Sequence, residues 1–275
     1  MSRCVVFILL FAAANWAGAS QGPVIRDDEA IRKMLSTRVD LQKQATGIVV
    51  GVIDSMGSRI VSYGTMGLSD TRPVNGDTVF DVGSITKVLT ALLLADMAQR
   101  DEVNLDDPAA KYLDAKKVKL PERGGKQITL IDLATHTSGL PLRPTNLVSK
   151  DPNDKYRGYT VDLMYECLSS FTLPRDIGTK YEYSNIGYGL LGHVLEKRMG
   201  KPYGGLVESR ITQPLEMKDT HIGLNSAMKN RIGGGLQQRA HTHPKRMAFR
   251  CAAKRRSVLL HSERPVEVFG RSARL

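Results

Sequence analysis

The stretch that most constrains this chain is Phe80-Asp81-Val82-Gly83-Ser84-Ile85-Thr86-Lys87, together with the apolar run after it, Val88-Leu89-Thr90-Ala91-Leu92-Leu93-Leu94-Ala95-Asp96-Met97. Gly83 separates an extended segment from a helix. Ser84 then falls in the first helical turn, with Lys87 one turn on. Residues three apart share a helix face, their Cβ atoms about 5–6 Å apart. A hydroxyl therefore lies beside an amine at the positive end of a helix dipole, where negative charge on oxygen costs less. The dipole and burial both disfavour the protonated lysine. A neutral lysine beside a serine is one way to turn a hydroxyl into a nucleophile. The run after Lys87 is apolar almost all round, which predicts a central, buried helix ending near Arg100. A serine three residues before a lysine recurs by chance in a chain of 275 residues. The preceding glycine, the buried helix and a second motif further on give this pair its weight.

Around this stretch the pattern alternates between strand and helix. Residues 26–44 carry Ile31, Met34, Leu35, Val39 and Leu41 at mostly helical spacing, predicting an amphipathic helix. Thr46–Ile53 and Arg59–Tyr63 read as strands joined by a turn at Asp54–Gly57, a β-hairpin. A polar connection from Gly64 to Thr78 leads into Val79-Phe80. A short helix is expected from Leu105 to about Leu113, then a solvated Lys-rich loop over 114–127. Thr129–His136 reads as a helix with Thr129 as N-cap and Asp132 at the capping-box position, ended by Thr137-Ser138-Gly139-Leu140-Pro141. An irregular region runs to about Tyr159, and Thr160–Ser170 is another amphipathic helix. The second motif, Tyr181-Glu182-Tyr183-Ser184-Asn185-Ile186-Gly187-Tyr188-Gly189, reads as a polar, aromatic loop entering a helix at Leu190–Glu196 that Gly200 and Pro202 end. A further helix follows over Tyr203–Ile211. A hairpin alone is marginal in water, so more strands are expected from the C-terminal part.

The N-terminus reads as an export signal. Arg3 supplies the positive region, Val5–Ala14 the apolar region, and Ala17-Gly18-Ala19 the small-residue cleavage pattern, with cleavage expected after Ala19. No later run is long and apolar enough to span a bilayer. After cleavage two cysteines remain, Cys167 and Cys251, which make no disulfide framework, and no Cys/His spacing suggests a metal site. The net charge of +11 is concentrated at one end, with eleven Lys and Arg against two Glu between Arg231 and Leu275. An inference about polyanions from the overall charge would therefore concern that tail alone. No nucleic-acid partner and no cofactor are expected.

Ser84-x-x-Lys87, followed about 100 residues later by Tyr183-Ser184-Asn185, resembles the serine β-lactamases and penicillin-binding proteins. The Tyr-x-Asn form resembles the class C β-lactamases and the related DD-peptidases and esterases. The flanks agree: Leu133–Pro141, and Leu215-Glu216-Met217-Lys218-Asp219-Thr220. The resemblance runs from about residue 25 to 225. It implies an α+β fold of the β-lactamase/transpeptidase type, a helical region packed on an antiparallel sheet. It implies acyl transfer, with Ser84 attacking a carbonyl, Lys87 and Tyr183 sharing the proton work, and Asn185 holding Lys87 and contacting the substrate amide. Tyrosine ordinarily titrates near ~10, so a nearby ammonium is needed for Tyr183 to act as a base at neutral pH. One oxyanion donor would be the Ser84 backbone N–H. His136 lies where the family carries a structural helix end, so it is read as a cap or core histidine rather than a triad member. His193, inside an apolar helix, is read the same way.

The family's third box, Lys-Thr-Gly or His-x-Gly on a strand facing the serine, is missing. His221-Ile222-Gly223 fits the string but directly follows Leu215–Thr220, where the family's third box comes far later, and is rejected. The expected organisation is an export signal at 1–19, an incomplete hydrolase domain at 20–230 lacking C-terminal sheet strands, and a basic atypical tail at 231–275. The composition break at the tail reads as a truncated or frameshifted gene product in preference to a tail that binds anionic surfaces. The leading expectation is an exported, periplasmic or secreted serine hydrolase. Its substrate would be a β-lactam or a D-alanyl peptide, with small esters as further candidates. The rival readings are a non-catalytic remnant, favoured by the missing box, and a polybasic binding module over 239–274.

Overall fold

The computed structural model describes residues 27–54, 57–148, 156 and 158–232, and the backbone of 247–250. The expected export signal and most of the basic tail lie outside the described residues. The architecture is α+β. A helical body carries the main core, and three small antiparallel sheets surround it.

The chain begins with α1 (Asp28–Ser36), capped by the Asp27 carboxylate on the Ala30 N–H at 2.7 Å. A π-helical turn, Thr37–Leu41, continues it, close to the expected amphipathic helix. The hairpin then forms as expected from β1 (Gly47–Asp54) and β2 (Gly57–Gly64), in a register running from Gly47 opposite Gly64 to Asp54 opposite Gly57. Period-two alternation sends Ile48, Val50, Val61 and Tyr63 towards α1, where they meet Ile31, Leu35 and Val39. Val49 and Ile60 point to the opposite side, against Met66, Val74 and Phe80. Both faces of the hairpin are thus covered over most of its length, while Ile53, close to the turn, stays 69% exposed. Strands do come from the C-terminal part, but not to this hairpin. β6 (His221–Ile222) and β7 (Met247–Arg250) join β3 (Val79–Asp81) in the order β3-β7-β6. On its other side Val79 is bridged to Ile232 and packs with Met228. β3, the strand that delivers the chain to Ser84, is therefore held by residues far along the sequence.

Gly83 follows with φ +51°, a left-handed conformation in which an added Cβ would meet no atom within 4 Å. A 3-10 turn, Gly83–Ile85, precedes α2 (Thr86–Gln99). The expectation of an all-round buried helix is corrected here. Thr90, Leu93, Leu94 and Met97 are buried, while Val88 and Leu92 are 64% and 45% exposed. The described residues pack on one side of α2 only. The 114–127 segment is likewise not all loop. β4 (Glu122–Arg123) and β5 (Lys126–Gln127) pair across Gly124-Gly125, both at positive φ, the requirement of a two-residue I′ hairpin turn.

α3 (Leu130–Ala134) carries the expected capping box. Asp132 N–H donates to Thr129 Oγ1 at 3.3 Å, and Thr129 N–H donates to Asp132 Oδ2 at 3.1 Å. α4 (Val161–Ser170) is capped by Thr160 and buries Cys167, whose thiol is free and lies 3.4 Å from Thr145 Oγ1. α5 (Asn185–Met199) starts five residues before the expected Leu190, because Ser184 caps it. Ser184 Oγ accepts the Gly187 N–H at 2.9 Å. A Cβ on Gly187 would come within 3.1 Å of that oxygen, so the glycine that looks like loop is what lets the cap close. Gly200 ends α5 in the left-handed conformation, as expected. α5 packs on α2, α3 and α6 (Tyr203–Val207), its Leu190, Leu191, Val194 and Leu195 lying at the centre of the main core. His193, half-buried on this helix, has its Nε2 2.7 Å from the Tyr165 hydroxyl of α4. α7 (Ser226–Lys229) contributes Met228 to the β3 cluster.

Two stability measurements follow from these contacts. Gly83→Ala should cost about 1–2 kcal/mol, from backbone strain rather than crowding. Gly189→Ala, in the α5 interior with an ordinary φ and no neighbour within 4 Å of an added Cβ, should instead stabilise by about 0.5–1 kcal/mol. Urea titration of both variants reads the opposite signs. Asp107 accepts from Lys111, Tyr112 and the Asn104 N–H, and these hold its carboxyl at about 2, below the usual 3.8. A lowered folded-state value gives stability that is full above the unfolded value and is lost as pH falls towards the folded one. Asp107→Asn should therefore lower the urea midpoint at about pH 7 and change it little at about pH 2.

Candidate active site

Two segments build the site, and each is positioned by its own local structure. The first is the 3-10 turn and opening of α2. Val82 is buried and Asp81 Oδ1 accepts the Gly83 N–H at 2.9 Å, so the turn is fixed just ahead of Ser84. Ser84 is exposed and Lys87, one turn later, is half-buried. Lys87 Nζ donates to Ser84 Oγ at 3.2 Å, as the i,i+3 spacing requires.

The second segment is Tyr181–Asn185, which is laced to the chain after α3. Glu182 N–H donates to the His136 carbonyl at 2.8 Å, and Ser184 N–H to His136 Nδ1 at 3.0 Å. Ser184 Oγ donates to the Pro141 carbonyl at 2.7 Å, and Asn185 N–H to the Leu142 carbonyl at 2.9 Å. The bonds of Glu182 and Ser184 flank Tyr183, and Asn185 is held here only through its backbone N–H, so the side chains of Tyr183 and Asn185 are left to face α2. Tyr183 OH donates to Ser84 Oγ at 2.7 Å, and Lys87 Nζ donates to Asn185 Oδ1 at 2.8 Å.

The four residues singled out from sequence, Ser84, Lys87, Tyr183 and Asn185, thus form one hydrogen-bonded cluster. Lys87 Nζ also lies 4.7 Å from the Tyr183 ring centroid and 5.7 Å from that of Tyr188, within cation–π range of both. Burial raises the Tyr183 pKa, but the hydrogen bonding and charge of Lys87 and the bond with Ser84 together bring it below the ordinary tyrosine value. Chemically, such a cluster can take a proton from a serine oxygen and hold the resulting charge.

His136 is not placed on Ser84. It stands at the end of α3 with φ +62°, its Nδ1 occupied by Ser184 N–H and its ring stacked among Tyr181, Tyr183 and Tyr188. His221 is bonded through Nε2 to the Lys218 carbonyl at 2.7 Å. It lines a separate cavity with Glu196, Pro202 and Tyr203. Sequence reasoning missed Tyr188, whose hydroxyl donates to the Ala134 carbonyl at 2.7 Å and whose ring faces Lys87. Its position in the first turn of α5 was the available signal, and reading the helix as starting at Leu190 hid it.

A family model described as Beta-lactamase matches residues 28–253. The D-alanyl-D-alanine-carboxypeptidase/endopeptidase AmpH of Escherichia coli is 32% identical over 228 residues, covering 80% of this chain and 57% of its own length. A β-lactamase of Pseudomonas fluorescens is 30% identical over 200 residues, covering 70% and 51%. Among solved structures, a β-lactamase/D-alanine carboxypeptidase from Yersinia pestis complexed with citrate superposes with a TM-score of 0.69 at 27% identity, covering 82% of this chain and 65% of that one. A class C β-lactamase from Rhodobacter sphaeroides gives 0.63 at 27% identity, covering 81% and 62%. The chain therefore spans little more than half the length of these curated relatives. With the matched region covering most of its residues and both solved relatives sharing its α+β fold, this chain belongs to the Beta-lactamase family.

Proposed function

We propose that the chain is a serine hydrolase that works through an acyl-enzyme on β-lactams or D-alanyl peptides. The observation that carries this reading is the convergence on Ser84 Oγ of Tyr183 OH at 2.7 Å and Lys87 Nζ at 3.2 Å. Ser84 is the nucleophile. Tyr183, its pKa lowered, acts as the phenolate, whose charge Lys87 offsets, and becomes the neutral phenol as it takes the serine proton during the attack. Asn185 holds Lys87 through its Oδ1, and in this reading its amide nitrogen donates to the carbonyl of a bound substrate's amide. The Ser84 N–H sits between two committed donors, Gly83 N–H on Asp81 and Ile85 N–H on Val82, and is the candidate oxyanion donor. Collapse of the tetrahedral species breaks the carbonyl–nitrogen bond as the Tyr183 phenol passes its proton to the departing nitrogen, leaving the acyl group on Ser84. Water then hydrolyses that ester, and its second proton returns to the Ser84 oxygen.

The substrate classes come from the named activities of the relatives, a D-alanyl-D-alanine carboxypeptidase/endopeptidase and β-lactamases. Both leave an acyl-serine and differ in how fast water removes it. The N-terminal Arg3, the apolar Val5–Ala14 run and Ala17-Gly18-Ala19 support an exported protein, where such substrates are met.

Intact mass of the full chain after incubation with benzylpenicillin tests the reading. A drug-sized increase on the wild type, absent from Ser84→Ala, is the expected result. Tyr183→Phe should slow adduct formation by about 10²–10⁴-fold. A folded wild type that gains no mass, or a Ser84→Ala chain that gains the same mass, would overturn the proposal.

A further inference from the structure

One buried titratable group takes no part in the proton path described above, yet touches it from behind. His136 is 8% exposed and sits at the centre of three tyrosines. Its ring lies 4.6 Å from that of Tyr183, tilted by 37°, and 4.8 Å from that of Tyr188, with Tyr181 edge-on at 5.5 Å. Its main chain and side chain grip the N–H groups of the two residues on either side of Tyr183: the carbonyl takes Glu182 N–H and Nδ1 takes Ser184 N–H.

That grip has conditions. Both bonds need the backbone at residue 136 turned to φ +62°, a conformation that is uncommon outside glycine and is tolerated best by Asn, Asp and His. Nδ1 must also be an acceptor, which fixes the proton on Nε2. Burial, and after it the charge on Lys87, hold His136 below the usual imidazole value, in line with that neutral tautomer. Tyr188 is anchored in turn to the Ala134 carbonyl, so the ring on the far side of His136 is itself fixed.

We propose that His136 is the positioning residue for Tyr183: the stacked imidazole and its Nδ1 acceptor set the height of the phenol over α2, and so its distance to Ser84 Oγ. This rests on reading Tyr183 as the group that exchanges a proton with Ser84. A phenol held on one side only by solvent would sample rotamers in which the 2.7 Å contact is lost. A displacement of about 1 Å in such a contact can cost roughly 10²-fold in rate. The hydrogen bonds and ring contacts described for the histidine reach the Tyr183 loop and Tyr188 but not Ser84, so its effect passes through Tyr183.

Two variants separate the components. His136→Asn keeps a short acceptor and tolerates the positive φ but removes the ring. His136→Phe keeps the ring and removes the acceptor. Each is studied in the full chain with tyrosines labelled with ¹³C at Cζ, the Tyr183 signal being assigned from Tyr183→Phe. The expected result is that both variants keep the native tyrosine spectrum apart from the residues around position 136. In both, the Tyr183 titration should move up towards the ordinary tyrosine range. Penicillin adduct formation should slow by about 10- to 100-fold. Adding His136→Asn to Tyr183→Phe should then slow it by no more than about 2-fold further, because the histidine acts through the phenol. Unchanged Tyr183 titration in both variants would overturn the proposal, as would fully additive losses in the double variant. Loss of the native fold in both would overturn it too, since His136 would then be a core residue and not a positioning one. If the wild type itself forms no adduct, the hydrolase reading falls, and the Tyr183 titration still decides the role of His136.

Discussion

Everything at the candidate site depends on the lacing of residues 182–185 to residues 136–142. Four hydrogen bonds, from Glu182, Ser184 twice and Asn185, pin a loop of otherwise irregular backbone to the end of α3. Buried backbone donors need partners, and here each bond both satisfies a donor and fixes a phase. Glu182 and Ser184 are held on either side of Tyr183, which is thereby presented to Ser84, while Asn185, tied to this segment by its backbone N–H, reaches Lys87 with its side chain from the start of α5. α3 in turn is fixed by its capping box and by the Asp107 turn, whose carbonyl accepts the Leu130 N–H. The chain of dependence runs from an ordinary helix cap to the placement of a phenol.

The site was legible in sequence because its chemistry is carried by short motifs with fixed spacing. Ser84 and Lys87 are neighbours by helix geometry, and the structure brings Tyr183 and Asn185 onto them at 2.7 and 2.8 Å. The hairpin, the α3 capping box and the α4 helix were also legible, since period and cap residues are local signals. What was not legible depended on contacts between distant segments. The start of α5 was misread because Gly187 and Gly189 resemble loop, whereas the Ser184 cap outweighs them. The all-round apolar composition of α2 did not reveal that Val88 and Leu92 would stay exposed. The partner of β3 could not be anticipated, because β7 lies more than 160 residues further on. His136 was correctly kept off Ser84, but its grip on the Tyr183 loop is a tertiary fact with no sequence period to announce it.

α5 links packing to chemistry. Its far end is core, with Leu190, Leu191, Val194 and Leu195 fully buried among α2, α3 and α6. Its first residues are site, with Asn185 on Lys87 and Tyr188 beside His136. A helix this well buried at one end makes a rigid mount for polar groups at the other. Across from it, α2 is tied by Thr90 Oγ1 to Tyr203 OH at 2.7 Å, and by Asp96 to Arg210, which also holds Glu102. The two helices bearing the site are thus clamped below it, and the polar cluster occupies their open ends.

The separation of the two site segments has a kinetic meaning. Ser84 and Tyr183 lie 99 positions apart, and Lys87 and Asn185 lie 98 apart. α2, α3 and α4 can each form from contacts within a few residues, on a microsecond scale. Joining the two segments requires closing a loop of about 100 residues, and that entropy is spent before either of the two hydrogen bonds between them repays it. The topology therefore argues that the helices are made first and the hydroxyl of Ser84 meets its partners last. In such an order the chain acquires its secondary structure and much of its core before it acquires the geometry for chemistry, so a signal from helix content would report folding that the site has not yet shared.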